Sequence, residues 1–328
     1  MKWKTYIGII ISAIFLYFAF RKINPQELKL AFQNANYAYL IVVFFLAFLS
    51  LWVRSLRWRY LLQPIKEIRL RSLFSATAIG FMANNVLPAR LGEFVRAYVI
   101  GEKEQISKSS SFATIVVERI FDGATVLFFL VMILVFYSFS SPGWLRNAAI
   151  TSLALYVVTS LFLILLKVKT EVAMNIAAYI LRPFPRKIEL LFMRTLHSFV
   201  DGLRILHNTK NIIISAILSL FVWLPNVMII YFLLVSFGLK LPIYASFLLL
   251  VIIGIGIMIP SAPGFVGTIQ YCCIVGLALF SVPKSQALSF SIVYHVGIFI
   301  PVTAIGLSYL LVEGLSIAKI RNLIEIER

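Results

Sequence analysis

Apolar runs long enough to cross a bilayer recur along the whole chain, and they limit its fold more than any other feature. A crossing helix needs about 20 apolar residues, because each residue rises about 1.5 Å and the hydrocarbon core is about 30 Å thick. Runs of this kind fall at 5–21, 38–56, 111–137, 148–166, 211–236, 242–260, 264–282 and 287–312. The expected architecture is an all-α polytopic membrane protein with about eight transmembrane helices. It forms a single transmembrane domain over residues 1–328. Composition agrees: only 13% of residues are charged, against about a quarter in soluble domains. The first run follows Met1-Lys2-Trp3-Lys4 and lacks a small-x-small cleavage pattern before Arg21-Lys22. It therefore reads as an uncleaved first span.

The formal charge of +17 would suggest nucleic acid in a soluble protein. Here the basic residues cluster between apolar runs, which points to topology and lipid electrostatics and excludes a nucleic-acid partner. One cluster holds Arg54, Arg57, Arg59, Lys66, Arg69 and Arg71, and continues with Arg90, Arg96, Lys103 and Lys108. The other occupies 167–210. Positive residues favour the cytoplasmic side. The expected placement is thus a multi-pass protein of the cytoplasmic (inner) cell membrane, with both termini in the cytoplasm. Arg21, Lys22 and Lys29 run against this assignment.

Two breaks interrupt the apolar pattern. The stretch 72–88 is broken by Asn84, Asn85 and Pro88 and is flanked on both sides by basic residues. It is expected to enter the membrane and return as a re-entrant segment, which requires cover by protein or a watery cavity. The second break is Pro260-Ser261-Ala262-Pro263-Gly264. It is either a tight turn between two spans or the apex of two re-entrant half-helices, a device that bounds substrate sites in transporters. The two breaks are compatible with a pseudo-repeat. Residues 167–210 form a cytoplasmic amphipathic region, with apolar positions at helical spacing and basic residues between them, suited to an anionic leaflet.

The stretch 80–96, GFMANNVLPARLGEFVR, combines a helix break, two amides, a carboxylate and two guanidiniums. Arg90 and Arg96 can grip a phosphate bidentately. Asn84 and Asn85 can satisfy free backbone groups or bind a polar head, and Glu93 can pair with arginine or a cationic group. The alternative is that the amides shape a turn and the arginines set topology. Glu118 and Asp122 are four residues apart on one helix face, with Arg119 three residues from Asp122. Such groups near a span face the interior, either as structural pairs for the arginines or as a relay or ammonium site. Arg54 and Arg57 offer lipid-phosphate recognition or simple positive-inside bias, with Trp58 as an interfacial anchor. Thr268 and Gln270, with Gly264 and Gly267, offer polar contacts or helix packing. Trp223, Pro225 and Asn226 mark a kink that lines a cavity or packs. His295 reads as a buried neutral histidine, a proton-coupled role being the alternative.

Cys272 and Cys273 are adjacent, and the three histidines are scattered. No metal or cofactor is expected, and no Walker sequence points to ATP.

At these residues the chain resembles the lysylphosphatidylglycerol synthase transmembrane-domain family. The matching pieces are Arg54/Arg57-Trp58, the stretch 80–98, Glu118-Arg119-x-x-Asp122 and Pro260-x-x-Pro263-Gly264-x-x-Gly267. In two-part members this domain is similar to a flippase for aminoacylated phosphatidylglycerol, and a separate soluble domain makes that lipid. Here the chain ends about sixteen residues after the last span, so the synthetic domain is expected to be absent. The family pattern has Glu where this chain has Gln270, which weakens any expectation of shared ion coupling or of a cationic head. The resemblance implies a flippase-like transporter for a phosphate-bearing, aminoacylated or plain lipid, and not the lysyltransferase. The alternative is a membrane enzyme or accessory factor acting on polyprenyl-phosphate-linked intermediates. A third is a non-catalytic partner of a biosynthetic complex. Membrane lipids with an anionic phosphate headgroup are the expected partners. A homodimer and a separate lipid-synthesis partner are compatible.

Overall fold

The computed structural model describes residues 2–87, 91–136, 169–181, 186–203 and 208–315, with scattered positions between 143 and 161. The described elements are helical. They are α1 (Lys2–Phe20), α2 (Pro25–Asn34), α3 (Tyr39–Leu62), α4 (Leu70–Val86), α5 (Gly92–Glu104) and α6 (Lys108–Phe136). There follow α7 (Thr170–Leu181), α8 (Arg186–Gly202), α9 (Thr209–Ser236), α10 (Ile243–Gly256), α11 (Thr268–Ala278) and α12 (Lys284–Val312).

The all-helical character agrees with the apolar pattern, but the number of spans does not. Among the described residues only α3, α9 and α12 are long and apolar enough to cross a bilayer. A fourth is counted if α1 and α2, bent by 89° at Arg21–Asn24, are taken as one broken span. The expectation of about eight is therefore corrected. The reason is that continuous hydropathy does not demand a continuous helix. The runs 242–260 and 264–282 fold as helices of 14 and 11 residues, about 21 Å and 16 Å long at 1.5 Å per residue. The run 111–137 does form a long helix, α6, but its first half carries Glu118, Arg119 and Asp122. The run 148–166 lies largely outside the described residues.

The break within 72–88 falls at the end of that stretch. α4 is continuous to Val86, and the chain leaves helical geometry at Leu87, where φ is −93° and ψ 146°. α5 then packs back along α4. Asn84 meets Gly92, Gly80 lies against Arg96, and Lys103 Nζ donates to Ser75 Oγ at 3.3 Å, a pairing order that makes α4 and α5 an antiparallel hairpin. Glycine permits its close seam: a Cβ at Gly80 would lie 2.8 Å from Arg96 Cβ and from the Gly92 carbonyl. Small residues replace hydrophobic driving force as the basis of such contacts inside a membrane.

α10 and α11 form a second hairpin, with Gly256 against Cys272 and Gly276 against Leu249. Its tip carries a single 3-10 turn at Pro263–Phe265, and Gly264 and Gly267 have φ of +69° and +87°. Those values lie in the region that glycine alone enters without strain. α1 buttresses the tip, where Ser12 Oγ accepts from Ala262 N at 2.8 Å.

Two apolar cores support these hairpins. One joins α9, α10, α11 and α12 to the start of α3, and the other joins the end of α3 to α4, α5 and the start of α6. α3 runs along α9, and α12 packs on α4. In the amphipathic region, α8 docks on α6 through Ser109 Oγ to Thr195 O (2.8 Å) and Ser110 Oγ to Ser198 O (2.6 Å). Val200 is buried on that side, while Leu190 and Phe192 are exposed.

Candidate functional site

The site begins on α3. Arg54 and Arg57 lie one turn apart and are both buried, while Arg59 points out to the exposed side. The same face carries Trp58, which is wholly buried and donates from Nε1 to Thr114 Oγ1 at 2.9 Å. Trp58 is therefore an interior residue, and its expected role as an interfacial anchor does not hold.

α6 supplies the carboxylates. Glu118 and Asp122, a turn apart on one face, both reach Arg57. Arg57 Nη1 donates to Asp122 Oδ1 at 2.7 Å and to Ser219 Oγ at 2.8 Å, and Nη2 lies 3.1 Å from Glu118 Oε1. α5 adds Arg96, whose Nη1 donates to Glu118 Oε1 at 2.8 Å. Its guanidinium stacks 3.8 Å above the Trp58 ring. Arg119 Nη2 reaches Glu118 Oε1 at 2.5 Å and Asp122 Oδ2 at 3.1 Å. α9 closes the ring: Trp223 Nε1 donates to Asp122 Oδ1 at 3.0 Å, and Ser219 Oγ passes its own proton to Ser215 O at 2.7 Å. Trp223 and Ser219 sit one turn apart on α9. Of that pair the apolar pattern singles out only Trp223, as a kink neighbour, and gives no signal for Ser219.

Four guanidiniums thus converge on two carboxylates that are essentially buried. Half-buried Glu93 acts electrostatically on Arg119. Several buried polar atoms still have no hydrogen-bond partner, among them Arg54 Nη1, Arg57 Nε, Arg96 Nε and Nη2, and one oxygen each of Glu93, Glu118 and Asp122. Buried charge is costly unless paired and fully hydrogen-bonded, so a network of this kind is poorly justified by stability alone. Free guanidinium N–H groups with excess positive charge form a receptor for an oxyanion.

The amides lie elsewhere. Asn84 Oδ1 accepts from Gly92 N at 2.8 Å and so closes the hairpin tip. Asn85 Nδ2 donates to Thr303 Oγ1 on α12 at 2.8 Å. At the second tip Gln270 Oε1 accepts from Gly267 N at 2.7 Å, and its Nε2 lies 3.0 Å from His295 Nδ1. The two tips touch, since a Cβ at Gly264 would lie 3.3 Å from the Asn85 carbonyl. Arg90 falls outside the described residues. Among those described, no group of histidine, cysteine and acidic residues is placed to hold a metal ion.

Comparison with known proteins places this geometry in a lineage. The chain is 27% identical over 335 residues to a UPF0104 membrane protein of Methanothermobacter thermautotrophicus, covering 97% of this chain and 98% of that one. It is 23% identical over 332 residues to a UPF0104 membrane protein of Methanocaldococcus jannaschii, covering 96% and 97%. A shorter match, 30% over 120 residues, joins 36% of this chain to 19% of the glycosyltransferase AglD of Haloferax volcanii. No solved structure matches. The model of the lysylphosphatidylglycerol synthase TM region matches residues 6–306, nearly the whole described bundle, and the chain belongs to that family of membrane proteins.

Proposed function

We propose that this protein is a flippase-like transporter that carries a phosphate-bearing lipid across the cytoplasmic membrane. The observation that carries the reading is the buried excess of guanidinium over carboxylate between α3, α5 and α6. In an otherwise apolar bundle, ionisable groups facing the interior mark a substrate path. Arg54, Arg57, Arg96 and Arg119 recognise the phosphate, and Glu118, Asp122 and Glu93 balance their charge while the site is empty. Asn84, Asn85 and Gln270 hold the two hairpin tips in shape beside it. Arg90, read from the sequence as a phosphate contact, adds a further guanidinium. Membership of a family built on the transmembrane region of a lipid-modifying enzyme is consistent with lipid handling. The rest of the first basic cluster, Arg59 to Arg71, together with the cluster at 167–210 and both termini, faces the cytoplasm.

A second reading is favoured by the partial match to a glycosyltransferase. Here the same arginines bind the phosphate of a lipid-linked sugar, and the chain assists an enzyme that acts on it. A leaflet-accessibility assay in proteoliposomes separates the two readings. Labelled lipids with uncharged, anionic and aminoacylated heads would be followed with and without protein. Protein-dependent movement of one phosphate-bearing class supports transport. Binding without movement under any imposed gradient contradicts transport and favours the second reading.

A further inference from the structure

We propose that Arg54, walled by Phe81 and Trp223, is the point at which this site takes a lipid phosphate group carrying one negative charge, while Arg57 and Arg96 form the frame. The inference rests on the reading of the cluster as a phosphate site and assigns its ligand contact.

The four guanidiniums are not equivalent. Arg57 has two carboxylates and a serine hydroxyl as partners. Arg96 is hydrogen-bonded to Glu118 and stacked on Trp58. Arg119 is bonded to Glu118, approaches Asp122 and is influenced by Glu93. Arg54 has only Asp122 Oδ2 at 3.7 Å, beyond hydrogen-bond reach, and its Nη1 is buried with no partner. Among the described residues it is the one guanidinium of the cluster with no hydrogen bond to a carboxylate. An oxyanion arriving there breaks no existing hydrogen bond. Arg57 and Arg96 also keep buried N–H groups without a partner, but each of these guanidiniums is already held by a carboxylate.

The aromatic walls supply orientation. The Arg54 guanidinium lies 5.1 Å from the Phe81 ring centre and 5.2 Å from that of Trp223. Rings at this distance hold the cation by cation–π attraction without using its N–H groups, which leaves the fork free for a bidentate contact. Trp223 is itself fixed by its bond to Asp122. Phe81 comes from α4 and Trp223 from α9, so Arg54 lies at the seam between the first hairpin and a spanning helix. Both rings are half-buried, and neighbouring Arg119 has a side chain 40% exposed, so this is the open edge of the network. Counting Glu93, three acids offset three of the four cations, and the remaining positive charge matches a phosphodiester.

The test is lipid binding to the purified full-length protein in detergent, read by native mass spectrometry. The probes are phosphatidylglycerol, diacylglycerol and inorganic phosphate. Arg54→Gln is expected to weaken phosphatidylglycerol binding at least ten-fold with an unchanged unfolding temperature. Arg57→Gln is expected to lower the unfolding temperature. Equal binding by Arg54→Gln and wild type, or a fall in unfolding temperature as large as that of Arg57→Gln, would overturn the assignment of Arg54 alone. If the wild type binds no phosphatidylglycerol, or binds diacylglycerol as tightly, the phosphate-site reading falls with it. Inorganic phosphate binding as tightly as phosphatidylglycerol would assign the site to free phosphate and overturn the lipid source.

Discussion

The arginine network and the junction of the two hairpin tips are neighbouring polar regions in one apolar bundle, yet they are built on opposite principles. At the junction the described amides are spent on protein: Asn84 on Gly92, Asn85 on Thr303, and Gln270 on both Gly267 and His295. These bonds are made by uncharged amides. In the network the groups are charged, come from three helices, and leave N–H donors and carboxylate oxygens without partners. Amides that bond within the protein hold a shape, whereas an open charged set has N–H groups to offer an anion. The contrast teaches that polar residues in a membrane protein are sorted by what remains unpaired, more than by how polar they are.

The strongest way to break this contrast is to remove the central cation. Arg57→Met leaves Glu118 and Asp122 short of their shared partner and is expected to cost about 3–5 kcal/mol, read as a fall in unfolding temperature in detergent. A neutral result would mean that the carboxylates are compensated from elsewhere and that the frame is misassigned.

Next in size is the hairpin seam. Gly92→Ala would drive a methyl into the Gly80 carbonyl and the Asn84 side chain. Overpacking of this kind costs about 1–3 kcal/mol. Native expression and stability of this variant would show that α4 and α5 separate more readily than described.

At the junction itself, Asn84→Ala removes one neutral hydrogen bond and is expected to cost about 1 kcal/mol, with lipid binding retained. Loss of binding without loss of stability would move Asn84 from the junction to the ligand site.

The smallest effect is expected at the solvent-facing edge. Lys66 pairs with Glu104 at 3.1 Å and donates to its carbonyl at 2.8 Å, but it is largely exposed. Lys66→Met should change stability by about 0–1 kcal/mol and leave lipid binding unchanged.

Much of the site was legible in the residues because charge is rare in this chain. Glu118 and Asp122 at four-residue spacing had to share a face, and Arg54 and Arg57 at three-residue spacing had to share another. What periodicity could not say was which faces meet, so Ser219, Thr114 and the burial of Trp58 depended on tertiary packing. The number of spans was misread for a related reason. Hydropathy reports solvent preference and does not give helix length: the runs 242–260 and 264–282 were each read as a full span, yet they fold as helices of 14 and 11 residues. The amides at 84 and 85 illustrate the same limit: α4 runs through both to Val86, and the groups that occupy them, Gly92 and Thr303, were not visible in sequence.

The central claim is that the surplus charge of the arginine network serves a phosphate-bearing lipid. The most direct test is the unfolding temperature of the wild-type protein in detergent with added phosphatidylglycerol, compared with an uncharged glycolipid of the same chains. Ligand at about 100 times its Kd stabilises the native state by about 2.7 kcal/mol, so phosphatidylglycerol is expected to raise the unfolding temperature and the glycolipid to leave it unchanged. An equal shift with both lipids, or none with either, would contradict the claim.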